Sequence, residues 1–314
     1  MAQLQTLVFC GTPRFAVPTL ERLAEAGFAL ALVLTQPDRP KGRGLGVVAS
    51  PVKQAALRLG LQVLEPEKIK QNDELRARLE EIAPQAIVVV GYGRIIPGWM
   101  LELPEYGNIN LHASLLPKYR GAAPIQWAIA SGETVTGVTT MRLDPGLDTG
   151  DILLQKELGI LGEDTAETVS PRLASIGAEL MIETLRGLDD GSIRPQKQDD
   201  SRSTLAPILK KEDGRVDFKR RAEEIYNRLR GFQPWPGAFT SFRGKTLNLT
   251  AVKVSSEEAP EAELLVKNGR LFAGCAGRTA LELFEVQPEG RKRISAREFV
   301  NGYRPESGER LGES

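Results

Sequence analysis

A single histidine, His112, is the residue in this chain best suited to transfer a proton near neutral pH. It ends the short apolar run Asn108–His112, and a turn-forming segment follows it. Ligands of α/β sheets bind beyond the carboxyl ends of the strands, so this position favours a functional role over a packing role. Asn110 lies two residues earlier, and on a strand its side chain points to the same face. One strand end therefore carries a proton-transfer group beside a neutral amide donor.

These two side chains suit the transfer of an acyl group to an amine. Attack on a carbonyl places negative charge on its oxygen, which an amide N–H stabilises, while an imidazole moves the proton between the two nitrogens. The imidazole also needs a carboxylate partner. The glycine-bearing loop DPGLDTGD offers Asp144, Asp148 and Asp151. Spacing alone does not choose among them, and it is equally compatible with a polar turn whose aspartates bind backbone amides.

The elements that must position these residues alternate between strand and helix. This alternation predicts an α/β fold with a doubly wound, mostly parallel, Rossmann-like sheet. The predicted strands are Leu4–Cys10, Ala29–Leu34, Ala86–Val90 and Asn108–His112, and the predicted helices are Arg14–Ala26, Pro51–Leu59 and Asp73–Ile82.

The pattern changes after Gly132. Val135–Leu143 and Asp151–Leu158 are predicted to be adjacent strands, and a long helix is predicted over Thr165–Leu185. Pro171 falls inside that helix and removes a backbone donor, so we expect a kink or a helix start near Ser170.

The chain of 314 residues is long for one domain, and at about 150 residues per domain its length suggests two. Residues 1–189 form the predicted catalytic domain, and the polar stretch 190–207 is interpreted as a linker. Residues 208–314 are predicted to form a smaller, OB-like β-barrel. Its predicted elements are the helix Ala222–Arg230 and the strands Leu247–Val254, Glu263–Val266, Arg270–Ala273 and Thr279–Val286.

Composition narrows the class of protein. The 41 basic and 41 acidic side chains cancel, which argues against a protein covered in positive charge but not against one with a local basic face. Cys10 and Cys275 are far apart and match no disulfide or metal-binding pattern. No signal peptide and no apolar run of about 18 residues is recognised, so we expect a cytoplasmic protein.

Three segments carry a resemblance to a known family. The runs NINLHASLLPKYRGAAPIQWAI (Asn108–Ile129) and LDPGLDTGDILLQ (Leu143–Gln155) resemble the signature and the aspartate loop of folate-dependent formyltransferases. The opening run FCGTPRFAVPTL (Phe9–Leu20) is also similar to this family. The resemblance covers the whole first domain.

The resemblance implies roles for individual positions. Asn110 would bind the formyl oxygen as it becomes anionic, His112 would move the proton, and Asp148 would orient His112. The implied donor is 10-formyltetrahydrofolate, with no metal. The folate pocket would be lined by Ser114, Leu115, Leu116 and Pro117 and by the backbone of Tyr92, Gly93, Arg94, Ile95 and Ile96.

A further loop bears on the acceptor. TQPDRPKGRG (Thr35–Gly44) resembles the insertion with which methionyl-tRNA formyltransferases reach the acceptor stem, so initiator methionyl-tRNA is the expected acceptor and partner of a monomeric enzyme. Basic side chains would contact RNA phosphates, and the expected tRNA-binding residues are Arg39, Lys41, Arg43, Lys210 and Lys211, with Lys118 and Arg120 near the site. Two alternatives stay open: an amino-sugar nucleotide formyltransferase of the same fold, and a non-catalytic RNA-binding protein on this scaffold.

Overall fold

The computed structural model describes residues 4–41 and 46–312, and for residues 39–41, 46 and 47 it describes the backbone alone. The chain divides into two compact units. Residues up to 124, 135–159 and 169–207 form the first unit, and residues 125–134, 160–168 and those from 208 onward form the second. The stretch 190–207, which the sequence suggested was a linker, therefore belongs to the first unit.

The strands of the first unit lie in one large sheet and one small hairpin. They are β1 (Thr6–Gly11), β2 (Ala29–Leu34), β3 (Arg39–Lys41), β4 (Gly46–Val48), β5 (Val63–Leu64), β6 (Ala86–Val90), β7 (Asn108–His112), β8 (Val135–Arg142) and β9 (Ile152–Gly159). The large sheet has the order β5-β2-β1-β6-β7-β8-β9, and β3 pairs with β4 apart from it.

The large sheet is parallel from β5 to β7, and β8 and β9 join it antiparallel. From β1 the chain builds outward first to β2 and β5, then on the other side to β6 and β7. This reversal confirms the predicted doubly wound, mostly parallel sheet, and it places a ligand crevice at the carboxyl ends of β1 and β6. Every residue of β6 and β7 is buried, which explains their continuous apolar sequences.

Six helices connect these strands or follow them. They are α1 (Val17–Glu25), α2 (Pro51–Arg58), α3 (Asp73–Ile82), α4 (Gly98–Leu101), α5 (Pro124–Ala130) and α6 (Ala166–Asp189). Helix α6 covers β7, and a Cβ at Gly177 would lie 2.7 Å from a methyl carbon of Leu111. The absence of a side chain at Gly177 therefore lets α6 pack closely on the strand that carries Asn110 and His112.

Pro171 does not divide α6. The helix runs without a break from Ala166 to Asp189 with the proline inside it. Pro171 is the sixth residue of α6, so the single backbone donor that it removes lies close to the amino end, and the rest of the helix continues without it. The expectation of a new helix start near Ser170 was wrong for this reason.

Besides residues 125–134, which carry most of α5, and residues 160–168, the second unit is an antiparallel β domain with two further α-helices. Its elements are α7 (Ala222–Phe232), β10 (Phe239–Phe242), β11 (Lys245–Ser255), β12 (Leu264–Lys267), β13 (Arg270–Gly274), β14 (Ala280–Pro288), β15 (Ile294–Ser295) and α8 (Ala296–Tyr303). The strand order is β10-β11-β14-β13-β12, with β15 on β14.

The C-terminal segment closes this sheet. Residues 308–312 bridge to Phe242 of β10 and to Glu263 just before β12, so both edges of the sheet bond to one segment. A sheet whose two edges meet in this way is a closed barrel. Leu229 of α7 and Phe299 of α8 belong to its buried core. None of the described helices is long and apolar enough to cross a membrane.

Candidate active site

Asn110 and His112 lie at the carboxyl end of β7, beside the loop that follows β6. Their exposed fractions are only 8% and 6%, so both side chains are largely shielded from solvent. Asn110 pairs with Val89 of β6 in the sheet register. The side-chain amide of Asn110 makes no hydrogen bond with any residue that the structure describes, although the residue is buried. A buried amide without a protein partner is suited to receive an oxygen from a ligand.

The two ring nitrogens of His112 face different oxygens. Nε2 lies 2.9 Å from the backbone oxygen of Tyr119. A carbonyl only accepts, so Nε2 must carry a hydrogen and donate it. Nδ1 lies 3.7 Å from Oδ2 of Asp148, which is too long for a hydrogen bond but within ion-pair range. Nδ1 is therefore the nitrogen free to gain or lose a proton, next to a carboxylate.

Asp148 reaches His112 because its loop folds back along β7. The loop leaves β8 where Leu143 donates to the carbonyl of Asn108, at the start of β7. It then returns to the end of β7, where Oδ2 of Asp148 accepts the backbone N–H of Gly121 at 2.8 Å. Asp148 has a φ of +52°, in the left-handed region that aspartate tolerates better than most residues.

The three aspartates of this loop have different surroundings. Asp144 accepts hydrogen bonds from the backbone N–H of Gly146 and the hydroxyl of Thr149, so it shapes the loop. Asp148 is the one that faces His112. The structure thus brings together the Asn110, His112 and Asp148 set that the resemblance implied.

The segment after His112 is fixed by its own hydrogen bonds. The hydroxyl of Ser114 donates to the carbonyl of Lys118 at 2.6 Å, and Thr139 of β8 donates to the carbonyl of Ser114. Ser114 is fully buried and Leu116 is 3% exposed. Leu115 packs against Gly137, where a Cβ would lie 2.5 Å from its methyl carbon. Ser114 and Leu116 shape the turn from within, whereas Leu115 and Pro117 are only half-buried.

The loop after β6 exposes its backbone. The carbonyl of Tyr92 accepts from the hydroxyl of Thr12 at 3.1 Å and from the side-chain amide of Gln36 at 2.8 Å. The sequence did not identify Thr12 and Gln36 as anchors of this loop, because no local motif indicates that a side chain binds a carbonyl far away in the chain. The amides of residues 94–96 make no backbone hydrogen bond to the described chain, and Ile95 is 89% exposed. The loop therefore offers free peptide groups and one apolar side chain to a ligand.

Tyr92 contributes its backbone and not its phenol. The side chain is packed in the core of the first unit with Cys10 and Met100, and its hydroxyl has no hydrogen-bond partner among the residues that the structure describes. Burial raises the pKa of the phenol, and the neighbouring Cys10 raises it further. The phenol stays neutral and does not act as a base.

The basic residues that were predicted to bind RNA differ in their exposure and in their contacts. Lys210 and Lys211 are exposed and form no ion pair with the described residues. For Arg39 and Lys41 only the backbone of the β3–β4 hairpin is described, and Arg43 lies outside the described residues. Arg120, by contrast, is 7% exposed and binds side chains of the first unit, so it is not available to RNA phosphates.

No group of three or more His, Cys, Asp or Glu side chains that could hold a metal ion occurs in the described part of the chain. The reactive groups of this site are the amide, the imidazole and the carboxylate described above.

Comparisons with known proteins agree on one family. A model described as formyl transferase matches residues 4–185, and one described as the formyl transferase C-terminal domain matches residues 208–304. The chain is 62% identical to the methionyl-tRNA formyltransferase of Koribacter versatilis over 98% of both chains. It is 63% identical to that of Acidobacterium capsulatum over 94% of this chain and 96% of the relative.

Solved structures share the fold at much lower identity. A sugar 3N-formyl transferase, WlaRD, studied with dTDP and 5-N-formyl-THF, superimposes with a TM-score of 0.67 at 18% identity. The match covers 93% of this chain and 100% of that one.

Proposed function

The chain belongs to the methionyl-tRNA formyltransferase family, and we propose that it transfers the formyl group of 10-formyltetrahydrofolate to the amine of initiator methionyl-tRNA. Identity above 60% over nearly the full length of two such relatives supports the reaction and the acceptor. The observation that carries the chemistry is the approach of Asp148 to His112, next to an Asn110 amide that has no partner in the described part of the chain.

Asn110 stabilises the charge that develops on the formyl oxygen. When the amine nitrogen of the methionyl group attacks the formyl carbon, a tetrahedral intermediate forms and its oxygen becomes anionic. A fixed amide N–H aimed at that oxygen strengthens as the charge grows, and it is stronger in a pocket with little water. Asn110 is buried, and its side-chain amide has no partner among the described residues, as this role requires.

His112 moves the proton between the two nitrogens. Nδ1 takes the proton that the attacking amine loses, and the positive ring is balanced by Asp148. The same proton passes to N10 of the folate as the bond between N10 and the formyl carbon breaks. The reaction therefore consumes no net proton, and the ring returns to its starting state.

The folate is placed by two segments at the carboxyl ends of β6 and β7. The free peptide groups of residues 94–96 match the donors and acceptors of a pterin ring, and Ile95 supplies an apolar contact. The turn 114–117 forms the other wall, through the half-buried side chains of Leu115 and Pro117.

The tRNA is bound by exposed cations. Arg39, Lys41 and Arg43 on the β3–β4 loop contact the acceptor end, and Lys210 and Lys211 contact phosphates further along the RNA. The protein acts as a monomer in the cytoplasm, where initiator tRNA is charged.

A competition assay tests this function. The wild-type protein receives 10-formyltetrahydrofolate, initiator methionyl-tRNA and a 4-amino-sugar nucleotide in one mixture, and both products are quantified. Formylmethionyl-tRNA as the dominant product is the expected result. Formylated sugar alone would keep the chemistry and replace the acceptor, and no product with either acceptor would favour a non-catalytic RNA-binding protein.

A further inference from the structure

We propose that Gln198 is a positioning residue that holds Asp148 against His112, and that residues 198–206, named here the strap, fix both loops around the imidazole. This inference rests on the proposed function, because it assigns Gln198 a role in that reaction. It also reinterprets a polar stretch that the sequence suggested was a linker.

Gln198 binds the backbone of the aspartate loop on both sides of its turn. Its side-chain nitrogen Nε2 donates to the carbonyl of Asp148 at 2.8 Å and to the carbonyl of Gly150 at 2.7 Å. The side-chain amide of Gln198 thus donates both of its N–H groups to carbonyls of the same loop. The loop carries the only carboxylate that contacts His112 among the described residues, so its position sets the distance between Asp148 and the ring.

Arg120 fixes the orientation of that amide. Its guanidinium donates to Oε1 of Gln198 from Nε at 3.1 Å and from Nη2 at 2.8 Å. Nη2 also donates to Asp200 at 2.7 Å. A guanidinium only donates, so Oε1 must face it and Nε2 must face the two carbonyls. Because Arg120 is 7% exposed, water competes little for these bonds.

The strap also fixes the loop that follows Ser114. Arg120 donates its backbone N–H to the carbonyl of Thr204 at 2.8 Å, and Ala206 donates to the carbonyl of Arg120 at 2.7 Å. The hydroxyl of Thr204 accepts the backbone N–H of Tyr119, whose carbonyl is the partner of His112. The next residue, Gly121, gives its N–H to the carboxylate of Asp148. Both oxygens that face the imidazole therefore depend on loops bonded to the strap.

The expected consequence is a loss of turnover without a loss of binding. Asp148 lies in a left-handed conformation at the tip of a loop, which needs external bonds to stay in one place. A misplacement of about 1 Å in a reacting group costs roughly 100-fold in rate, so we expect Gln198→Ala to lower kcat by about 10- to 100-fold. The KM values for folate and tRNA should stay within about 3-fold of wild type, because the side-chain amide of Gln198 already bonds to Asp148, Gly150 and Arg120.

The matched control is Gln196→Ala. Gln196 has the same side chain two residues away and is exposed, and only its backbone bonds to Ile152. Its kcat should equal that of the wild type. A double variant separates positioning from general destabilisation: in an Asp148→Asn background there is no carboxylate to place, so Gln198→Ala should cost less than about 3-fold. Equal losses in both backgrounds, or a wild-type kcat for Gln198→Ala, would overturn the proposal.

A second readout does not depend on the reaction. Amide hydrogen exchange of residues 144–151 and of Gly121 should speed up in Gln198→Ala and stay unchanged in Gln196→Ala. Unchanged exchange in both variants would overturn the strap even if the enzyme is active. If the wild type formylates no methionyl-tRNA but Gln198→Ala loosens this loop, the proposed function fails and the structural role of Gln198 stands.

Discussion

At the scale of single residues, His112 lies between two oxygens of different character. The carbonyl of Tyr119 fixes the hydrogen on Nε2, and the carboxylate of Asp148 faces Nδ1. The ring is therefore held in one tautomer whenever it is neutral, with the exchangeable position toward the carboxylate. A glutamine or asparagine in place of His112 can preserve the bond to Tyr119 but not the proton exchange.

Asn110→Asp tests the oxygen-stabilising role at constant size. The substitution replaces an N–H donor with a carboxylate, which repels an anionic oxygen instead of stabilising it. We expect kcat to fall by at least about 100-fold with little change in the KM for methionyl-tRNA. Steady-state kinetics measures both values, and a kcat within 3-fold of wild type would remove Asn110 from the mechanism.

The two cysteines should be inert in the folded protein. Burial raises the pKa of the Cys275 thiol to about 12, and it raises the pKa of Cys10 as well. The reactive thiolate is therefore absent in the folded state near pH 8, while an unfolded cysteine ionises with a pKa of about 8.5. A chromogenic disulfide reagent at pH 8 should titrate no thiol rapidly before denaturation and both thiols after it. Rapid reaction of either in the native protein would contradict this burial.

The raised pKa values of the two cysteines also determine how the free energy of unfolding changes with pH. Because the folded pKa values are raised, the unfolded state loses protons first, and the free energy of unfolding should decline as the pH rises above about 8.5. Urea denaturation between pH 7 and pH 10, compared with a Cys10→Ala and Cys275→Ala double variant, measures this contribution. If the free energy of unfolding declines equally in the double variant, the decline is caused by groups other than the two cysteines.

Of the three site residues, Asn110 and His112 could be identified from their strand, whereas Asp148 could not be identified from spacing. Asn110 and His112 could be placed together because they belong to one strand, where alternation fixes the side-chain direction. Asp148 could not be separated from Asp144 by spacing, since its position depends on a loop that folds back along β7. The anchors Gln36 and Gln198 gave no signal, because each binds carbonyls that are distant in sequence.

At the scale of elements, Gly121 is where the loop after β7 meets the strap most closely. Its φ is +124°, and a Cβ there would lie 2.6 Å from the carbonyl oxygen of Ala206. Gly121→Ala should therefore lower both stability and kcat. The strained backbone alone should lower the free energy of unfolding by roughly 1–3 kcal/mol, and the clash with the carbonyl of Ala206 should lower it further. Urea unfolding and steady-state kinetics measure the two effects.

Gly60→Ala is the matched control for that substitution. Gly60 also has a positive φ, +69°, but nothing lies within 4 Å of the Cβ position. It should lose stability only, and less than Gly121→Ala, with kcat unchanged. Equal losses for the two variants would mean that the contact with the strap is not important.

The elements that the sequence predicted correctly are those with a sustained apolar period. Strands β2, β6 and β7 match their predicted ranges residue for residue. Helix α5 and strand β10 were not predicted, because each is short and follows a segment rich in proline and glycine. Residues 190–207 were interpreted as a linker because they are polar, but their polar groups bond to the first unit. Composition alone does not distinguish a solvated segment from one bonded to other loops.

At the scale of the whole molecule, a formal net charge of zero leaves RNA binding to local groups of cations. Lys210 and Lys211 are exposed and unpaired within the described chain. If they contact phosphates, the double variant Lys210→Gln, Lys211→Gln should weaken tRNA binding and reduce the slope of log affinity against log salt by about 1–2. Binding titrations with methionyl-tRNA at several salt concentrations measure the slope.

A control with equal charge loss is available in the same unit. Lys253 and Lys267 form ion pairs with Glu163 and Glu257. The double variant Lys253→Gln, Lys267→Gln removes two positive charges that are already neutralised, so its salt slope should match the wild type. If both double variants reduce the slope equally, the effect belongs to net charge and not to the Lys210 and Lys211 surface.

The most direct test of the account is a single-turnover measurement of formyl transfer to initiator methionyl-tRNA by the wild-type protein and by His112→Asn, with enzyme and 10-formyltetrahydrofolate in excess. We expect formylmethionyl-tRNA from the wild type, and a rate about 10²- to 10⁴-fold lower from the variant at unchanged folate affinity. Equal rates for the two proteins, or no formylmethionyl-tRNA from the wild type, would contradict it.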